Sequence, residues 1–233
     1  VVTAGAWASG GNLGAANTGR AAGGIQTATI AFGGYTTANT ANAETYNGTS
    51  WTEGPNLNTA RGELMGCGTS TSALAFGGTA VGTEECNGSA WSEQDDLNDQ
   101  RKKAAGMGIQ TAALCAGGDS PGLVAVAETY DGSSWTEVGD MNTARKQLGG
   151  AGTTTAGIVF GGYTTTEVAN SEEYNGSAWA EGNDMLTARR YLAGSGTQTA
   201  ALGFGGGPAP GSHALTEGYD GTSWSTRPSM GTA

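Results

Sequence analysis

The stretch EEYNGSAW, Glu172 to Trp179, is written again with small changes as AETYNGTSW over 43–51 and AETYDGSSW over 127–135. Working outward from it, Trp stands at 7, 51, 91, 135, 179 and 224, at intervals of 44, 40, 44, 44 and 45 residues. A self-similar period of about 40 to 50 residues is the signature of a propeller or a solenoid, in which each unit buries its apolar face only against its neighbours.

The units share more than Trp. Twenty-six residues after each of the first five Trp comes a Gly-Gly pair, beginning at Gly33, Gly77, Gly117, Gly161 and Gly205. Inside that interval Leu or Met stands six residues on (Leu13, Leu57, Leu97, Met141, Met185), and ten residues on are Asn17, Arg61, Arg101, Arg145 and Arg189. Gly recurs at Gly24, Gly68, Gly108, Gly152 and Gly196, three residues before Thr27, Thr71, Thr111, Thr155 and Thr199. Seven residues before Trp stands Glu44, Glu84, Glu128, Glu172 or Glu217, followed by Asn-Gly or Asp-Gly.

These columns give four short strands per unit. Asn-Gly and Asp-Gly, tolerant of positive φ, are favoured in the two-residue hairpin turn that would join a third strand, ETY, to a fourth, SWTE. Gly-x-x-Thr does the same between the first strand and the second. Small residues crowd the first strand (AAGGI, MGCGT, LAGSG), as suits an innermost strand where blades converge. The second strand is apolar on both faces (Leu74 and Phe76 against Ala73 and Ala75), which suits a sheet sandwiched between neighbours. The expected fold is all-β: a five-bladed β-propeller of four-stranded antiparallel blades, its core shared between blades.

With 43 Gly and 7% aromatic residues, composition alone reads as low complexity, but six evenly spaced Trp argue for folded repeats. A net charge of −11 argues against nucleic acid or an anionic membrane as partner, and the ten Lys and Arg read as mostly one per repeat. No apolar run approaches the roughly 20 residues that cross a bilayer, and the start of the sequence does not read as a charged-then-apolar leader. Of the three Cys, Cys115 falls in a column with Ala31, Ala75, Val159 and Gly203, and Cys86 replaces a repeated Tyr; both read as small buried hydrophobes, not as a disulfide framework.

Gly-Gly, then Glu-x-Tyr, then Trp, then Arg ten residues later resembles the kelch repeat over nearly the whole chain. The wording of GTQTAALGFGG, NGSAW and LNTAR is also similar to the Gly/Thr/Ala-rich kelch-like repeats of marine bacteriophage structural and tail-associated proteins. The resemblance implies blades over about 13–57, 58–97, 98–141, 142–185 and 186–233 of one domain, 1–233. It departs from the usual pattern in having five Gly-Gly units where six or seven blades are typical, and Asn17 where Arg is expected. Six Trp-bearing fourth strands for five of each other strand leave one spare. The expectation is that residues 1–12 form it, an extra Trp7 strand that caps an edge or joins a second copy, and that Trp224 closes the ring; a piece of a longer propeller is the alternative.

The turns that repeat emerge on one face. On the other, the loop between Gly-Gly and Glu changes from unit to unit: YTTANTANA, TAVGT, DSPGLVAVA, YTTTEVANS and GPAPGSHALT. Variation on a fixed scaffold marks binding loops. The candidate ligand-binding residues are Tyr35, Asp119, Tyr163, Glu167 and His213, since Tyr stacks on sugars while carboxylate and imidazole exchange hydrogen bonds. The repeated Glu44, Glu84, Glu128, Glu172 and Glu217, with Arg61, Arg101, Arg145 and Arg189 and the Trp column (Trp51, Trp91, Trp135, Trp179, Trp224), read as structural ties, an Arg ring facing the channel being the alternative.

Galactose oxidase-like kelch enzymes hold copper with paired His and Tyr, whereas this chain has one His. No metal and no cofactor is expected; Asp95, Asp96 and Asp99 lack the spacing of a calcium loop. The expected function is non-enzymatic: a recognition or structural module of a virion (tail, fibre or decoration) or extracellular surface, binding a glycan or protein through its variable loops. The expected partners are other virion or surface proteins, with neither nucleic acid nor membrane. The alternatives are a purely architectural virion protein and a kelch-fold lyase, epimerase or glycosidase.

Overall fold

The computed structural model describes residues 5–207 and 213–231. It is all-β, with five blades of four antiparallel strands in a propeller arrangement. Blade 1 is β1 (Ala21–Ile25), β2 (Ala28–Phe32), β3 (Ala43–Tyr46) and β4 (Trp51–Glu53); blade 2 is β5 (Met65–Thr69), β6 (Ser72–Phe76), β7 (Thr83–Cys86) and β8 (Trp91–Gln94). Blade 3 is β9 (Ala105–Ile109), β10 (Ala112–Ala116), β11 (Ala127–Tyr130) and β12 (Trp135–Val138); blade 4 is β13 (Gly149–Gly152), β14 (Gly157–Phe160), β15 (Ser171–Tyr174) and β16 (Trp179–Glu181). Blade 5 is β17 (Ala193–Thr197), β18 (Ala200–Phe204), β19 (Thr216–Tyr219) and β20 (Trp224–Arg227). Strands pair in chain order within every blade.

The third-to-fourth turn has a different centre from the one the Asn-Gly pair suggests. In blade 1 the Asn47 N–H donates to the Ser50 carbonyl at 3.3 Å, so Gly48 and Thr49 occupy the turn. Gly48 has φ +92°, while Asn47 is not among the positive-φ residues. Asn is there for its side chain: Oδ1 accepts the N–H groups of Thr49 and Ser50 at 2.9 and 3.0 Å, and Asp131 and Asp220 do the same in blades 3 and 5. The Thr column lies against this turn. A Cβ on Gly88 would meet the Thr71 Cβ at 3.3 Å, and one on Gly221 the Thr199 Cβ at 3.1 Å, so the two hairpin turns of each blade stack on each other.

Small residues on the first strand follow from close approach of the blades. A Cβ on Gly106 would meet Met65 Cβ at 2.8 Å, and one on Gly194 would run into the Gly150 carbonyl oxygen. Along the sequence the innermost strands pack β1 on β5, β5 on β9, β9 on β13 and β13 on β17. The second strands β6, β10 and β14 are buried on both faces, and the fourth-strand Trp of blades 2, 3 and 5 lies on the second-strand Phe of the blade before. Phe32 meets Trp91 at 4.9 Å, Phe76 meets Trp135 at 4.9 Å and Phe160 meets Trp224 at 4.8 Å. Edge-to-face and tilted aromatic pairs of this kind add about 0.5–1.5 kcal/mol beyond the area they bury.

Arg and Glu of the repeat form buried pairs inside each blade. Arg61, Arg101, Arg145 and Arg189 meet Glu84, Glu128, Glu172 and Glu217 at 2.8, 2.7, 3.1 and 2.9 Å, with guanidinium groups fully out of solvent. The other carboxylate oxygen accepts backbone N–H groups from the segment that leads into the blade, such as Asn58 at 2.6 Å and Asn142 at 2.6 Å. The pair therefore fastens the incoming chain to the third strand. In blade 1, where Asn17 stands in the Arg column, Arg20 takes over and reaches Glu44 at 2.9 Å. All three cysteines are buried free thiols; burial pushes Cys67 up to about 12, and Cys86 and Cys115 are also raised by it.

Residues 5–13 form no strand. Trp7 nevertheless occupies a fourth-strand Trp position: its ring lies 5.3 Å from Phe204 and its indole N–H donates to Thr216 Oγ1 at 3.1 Å. Trp135 and Trp224 make the equivalent indole bonds to Thr83 and Ser171. A strand is registered by the backbone of its neighbour, and among the described residues the segment around Trp7 has no third strand beside it.

Candidate functional site

The variable loops and the chain crossings between blades share one face, where the blades surround a cavity of about 890 Å³. Its wall is built by one recurring piece of backbone. Twelve residues after Trp stand Gly19, Glu63, Lys103, Gln147 and Tyr191, all with positive φ near +60°. Four are not Gly, and a left-handed conformation at such residues persists only where the surroundings hold it. Here the holding groups are interblade hydrogen bonds. Glu63 N–H donates to Gly19 C=O at 2.9 Å, Lys103 to Glu63 at 3.0 Å, Gln147 to Lys103 at 2.7 Å and Tyr191 to Gln147 at 2.9 Å.

One residue earlier, the chain bridges to the first residue after Gly-Gly in the same blade. Thr18 pairs with Tyr35, Lys102 with Asp119, Lys146 with Tyr163 and Arg190 with Gly207. Each variable loop thus starts at the rim. A second cavity of about 510 Å³ adjoins the first, sharing Thr79 and lined by Lys102, Asp119 and Pro121.

The sequence-derived candidates divide as follows. Tyr35 lines the central cavity and is half exposed. Asp119 lines the adjoining cavity and accepts the Lys146 ammonium at 2.8 Å, which holds its carboxyl below the usual value. Tyr163 lies under the Arg190 guanidinium, 4.8 Å from the ring centroid, and Glu167 meets the Arg190 Nε at 3.2 Å. His213 is half-buried in its loop and its N–H donates to Gly206 C=O at 2.7 Å. Tyr35, Asp119, Tyr163 and Glu167 are therefore joined to one rim through the residues 11 and 12 places after Trp. The imidazole of His213 makes no hydrogen bond among the described residues.

What the sequence reading missed is a second set of cations beside the buried Arg: Lys103 lines the central cavity, Lys102 lines the adjoining one, and Lys146 and Arg190 pair with Asp119 and Glu167. The doublets Arg101-Lys102, Arg145-Lys146 and Arg189-Arg190 were the available signal. Glu63 bridges Lys102 and Lys103 at 3.0 Å each. Burial pushes the Glu63 carboxyl up, but the two ammonium groups outweigh it and hold the group below its ordinary value. The rim is an array of paired opposite charges around Tyr35, Tyr163 and Tyr191. Gln147 lines the cavity and is 8% exposed, and its amide oxygen has no hydrogen-bond partner among the described residues.

The carboxyls of Glu93 and Glu181 are raised, chiefly by burial and then by Glu84 and Glu172 opposite them across the strand pair. The Glu-Glu pairing recurs as Glu44 with Glu53 and Glu128 with Glu137, and its inner member is engaged by Arg and backbone N–H groups in every case. Among the described residues no three His, Cys, Asp or Glu side chains converge as a metal site would need.

Fold and rim define a β-propeller with a tyrosine-bearing cavity on its loop face, rimmed by paired charges. Comparison with protein-family models and with curated proteins gives no match for the chain.

Proposed function

We propose that this chain is a non-enzymatic recognition module that binds a glycan through the cavity and the loop rim around it. The observation that carries this reading is the Gln147 amide oxygen, without a partner among the described residues, at the wall of a cavity of about 890 Å³ also lined by Tyr35 and Tyr191, with Arg190 joining Tyr191 to Tyr163. An unmade hydrogen bond on a buried acceptor costs about 1–3 kcal/mol, and a sugar hydroxyl supplies the missing donor. Tyrosine faces stack on the apolar faces of sugar rings, and the paired carboxylates and ammonium groups accept from and donate to hydroxyls without placing a net charge on the ligand. A largely apolar cavity with a few convergent polar groups is the usual form of a small-ligand site, and here Leu64, Leu148 and Leu192 line the wall beside Gln147.

The repeat columns support a kelch-like assignment of the blades, and the Gly/Thr/Ala-rich wording supports a setting on a phage particle or extracellular surface. In that setting the glycan is one displayed by the host. The test is a glycan array probed with the purified protein, the Gln147→Leu variant and the Tyr35→Ala/Tyr163→Ala variant. The expected result is selective binding weakened about tenfold or more in both, about 1.4 kcal/mol or more. Binding that both folded variants retain at full strength refutes the assignment of the site.

A further inference from the structure

Three interblade ties recur at four successive junctions, and all three are missing at the fifth. First, the second Gly of each Gly-Gly donates its N–H to the carbonyl of the buried Arg of the next blade: Gly34 to Arg61 at 2.8 Å, Gly78 to Arg101 at 3.0 Å, Gly118 to Arg145 at 2.9 Å and Gly162 to Arg189 at 2.8 Å. Gly206, the fifth in this column, makes no such bond. Second, the chain of rim hydrogen bonds from Gly19 to Tyr191 is open: Tyr191 does not receive the Gly19 N–H, and the Tyr191 side chain is 62% exposed. Third, β17 and β1 do not pack together as the other four pairs of innermost strands do.

Side chains at this junction are correspondingly uncovered. Leu202 on β18 is 38% exposed, where its counterparts Leu74, Leu114 and Ile158 are fully buried. Trp51 is half-buried with no second-strand Phe against it, while Trp91, Trp135, Trp179 and Trp224 are buried. Gln110 and Gln198 reach back to carbonyls of the preceding blade, at Cys86 and Tyr174, whereas Gln26 in the same column is exposed and makes no hydrogen bond among the described residues. Yet the outer part of the junction is filled, because Trp7 covers Phe204 of blade 5 while Gly14 N–H donates to Glu44 of blade 1 at 2.6 Å. Residues 7–14 therefore run between the two blades along the path that each fourth strand and its following segment take elsewhere.

We propose that the space between blades 5 and 1 is the seat of a sixth blade. Its fourth strand is the Trp7 segment, and its first three strands are one further unit of this same repeat, continuing the polypeptide beyond β20. Covalent continuation is favoured over a second copy by the segment that leaves β20. Met230 N–H donates to Ala214 C=O at 2.8 Å, as Leu57, Met141 and Met185 donate to Ala41, Ala125 and Ala169 on their way to the next blade. Its Cε lies 3.4 Å from where a Cβ on Gly205 would stand, the place Met141 takes at Gly117. A unit arriving by this route supplies a carbonyl for Gly206, an N–H for Tyr191 and a carbonyl for Gly19, and its second strand covers Trp51 while its first covers β17. Closure between the first and last units of a ring removes the exposed strand edge that an open array carries.

The test uses the 233-residue chain and the same chain with a copy of residues 145–178 fused after Ala233, which places the added Arg ten residues past Trp224, the repeat's own spacing. Amide hydrogen exchange is read at Gly19 and Gly206, with acrylamide quenching of Trp51 and the molecular mass in solution. The expected result is a monomeric parent in which both amides exchange freely, and a monomeric fusion in which both slow by about tenfold or more and Trp51 is shielded. Free exchange in a folded fusion overturns the proposal, as does protection in the monomeric parent, where the ring would already be closed. Protection that appears in the parent only with dimerisation also overturns it, in favour of a second copy as occupant.

Discussion

Arg61 and Glu84 offer the sharpest test of how the blades are held. Both side chains are fully buried, and they meet at 2.8 Å. Glu84 also accepts the N–H groups of Asn58 at 2.6 Å and Thr59 at 3.3 Å, and Arg61 Nη1 donates to the Gly82 carbonyl. Replacing Arg61 by Met keeps the stem volume but strands a carboxylate away from water with only two backbone donors. Breaking one side of a buried pair costs about 3–5 kcal/mol. Against a total stability of about 5–15 kcal/mol this is large but measurable. With a urea slope of about 1–3 kcal/mol/M, the Arg61→Met midpoint drops by about 1 M or more. The double variant Arg61→Met/Glu84→Gln loses less than the two single losses added together, because no unpaired charge remains. Lys103→Met removes a contact to Glu63 whose side chains are 18% and 31% exposed, and costs about 0–1 kcal/mol. An Arg61→Met loss below about 1 kcal/mol, or strictly additive single losses, refutes the claim that this pair is what fastens the incoming chain to blade 2.

Other outcomes follow from the same geometry. Trp135→Ala costs about 3–5 kcal/mol by urea denaturation because Trp135 is buried against Phe76 and bonded to Thr83, whereas Trp51→Ala in the same chain costs clearly less; equal losses would contradict the exposure difference. Gly108→Ala places a Cβ against the Ala112 carbonyl oxygen at a φ of +110° and costs about 1–3 kcal/mol in thermal denaturation, while Gly5→Ala, with open space around it, is neutral. Glu44, Glu63 and Asp119 are held below their ordinary values; a carboxyl depressed in the folded state contributes stability that is full above its unfolded value and is lost as pH falls through the folded one. Their pairs therefore weaken below about pH 4 to 4.5, the ordinary carboxylate values of 3.8 and 4.5, and a melting temperature that stays flat from pH 6 to pH 3 would contradict this. Glu93 and Glu181 have the opposite sign, so Glu93→Gln raises the melting temperature at pH 7, and the gain shrinks as pH falls and the wild-type carboxyl is protonated.

Most of the blade was legible in the sequence because repetition writes each constraint several times. The Trp, Gly-Gly, Glu and Arg columns fix strand number, strand order and the placing of the hairpin turns, since each is a local requirement: a turn, a buried acceptor, a close approach. Even there the physical reason was partly misread. Asn47 and Asp131 serve through their side-chain oxygens, and the positive φ falls on the following Gly. Glu63, Lys103, Gln147 and Tyr191 escaped the column reading because they share a backbone conformation and not a residue type, so nothing in their chemistry marks them as equivalent.

The sequence by itself determined the period, the four strands of each unit and which loops vary, because these depend on contacts repeated within one unit or between adjacent ones. Only the tertiary structure decided what the loops surround and how the ends of the array meet. The rim charges pair across blades, as Lys146 does with Asp119 and Lys102 and Lys103 do with Glu63, and such pairs link positions far apart in the chain that no column relates. The place of Trp7 against Phe204 is likewise a matter of closure, since it depends on the accumulated rotation of five blades and not on any single unit.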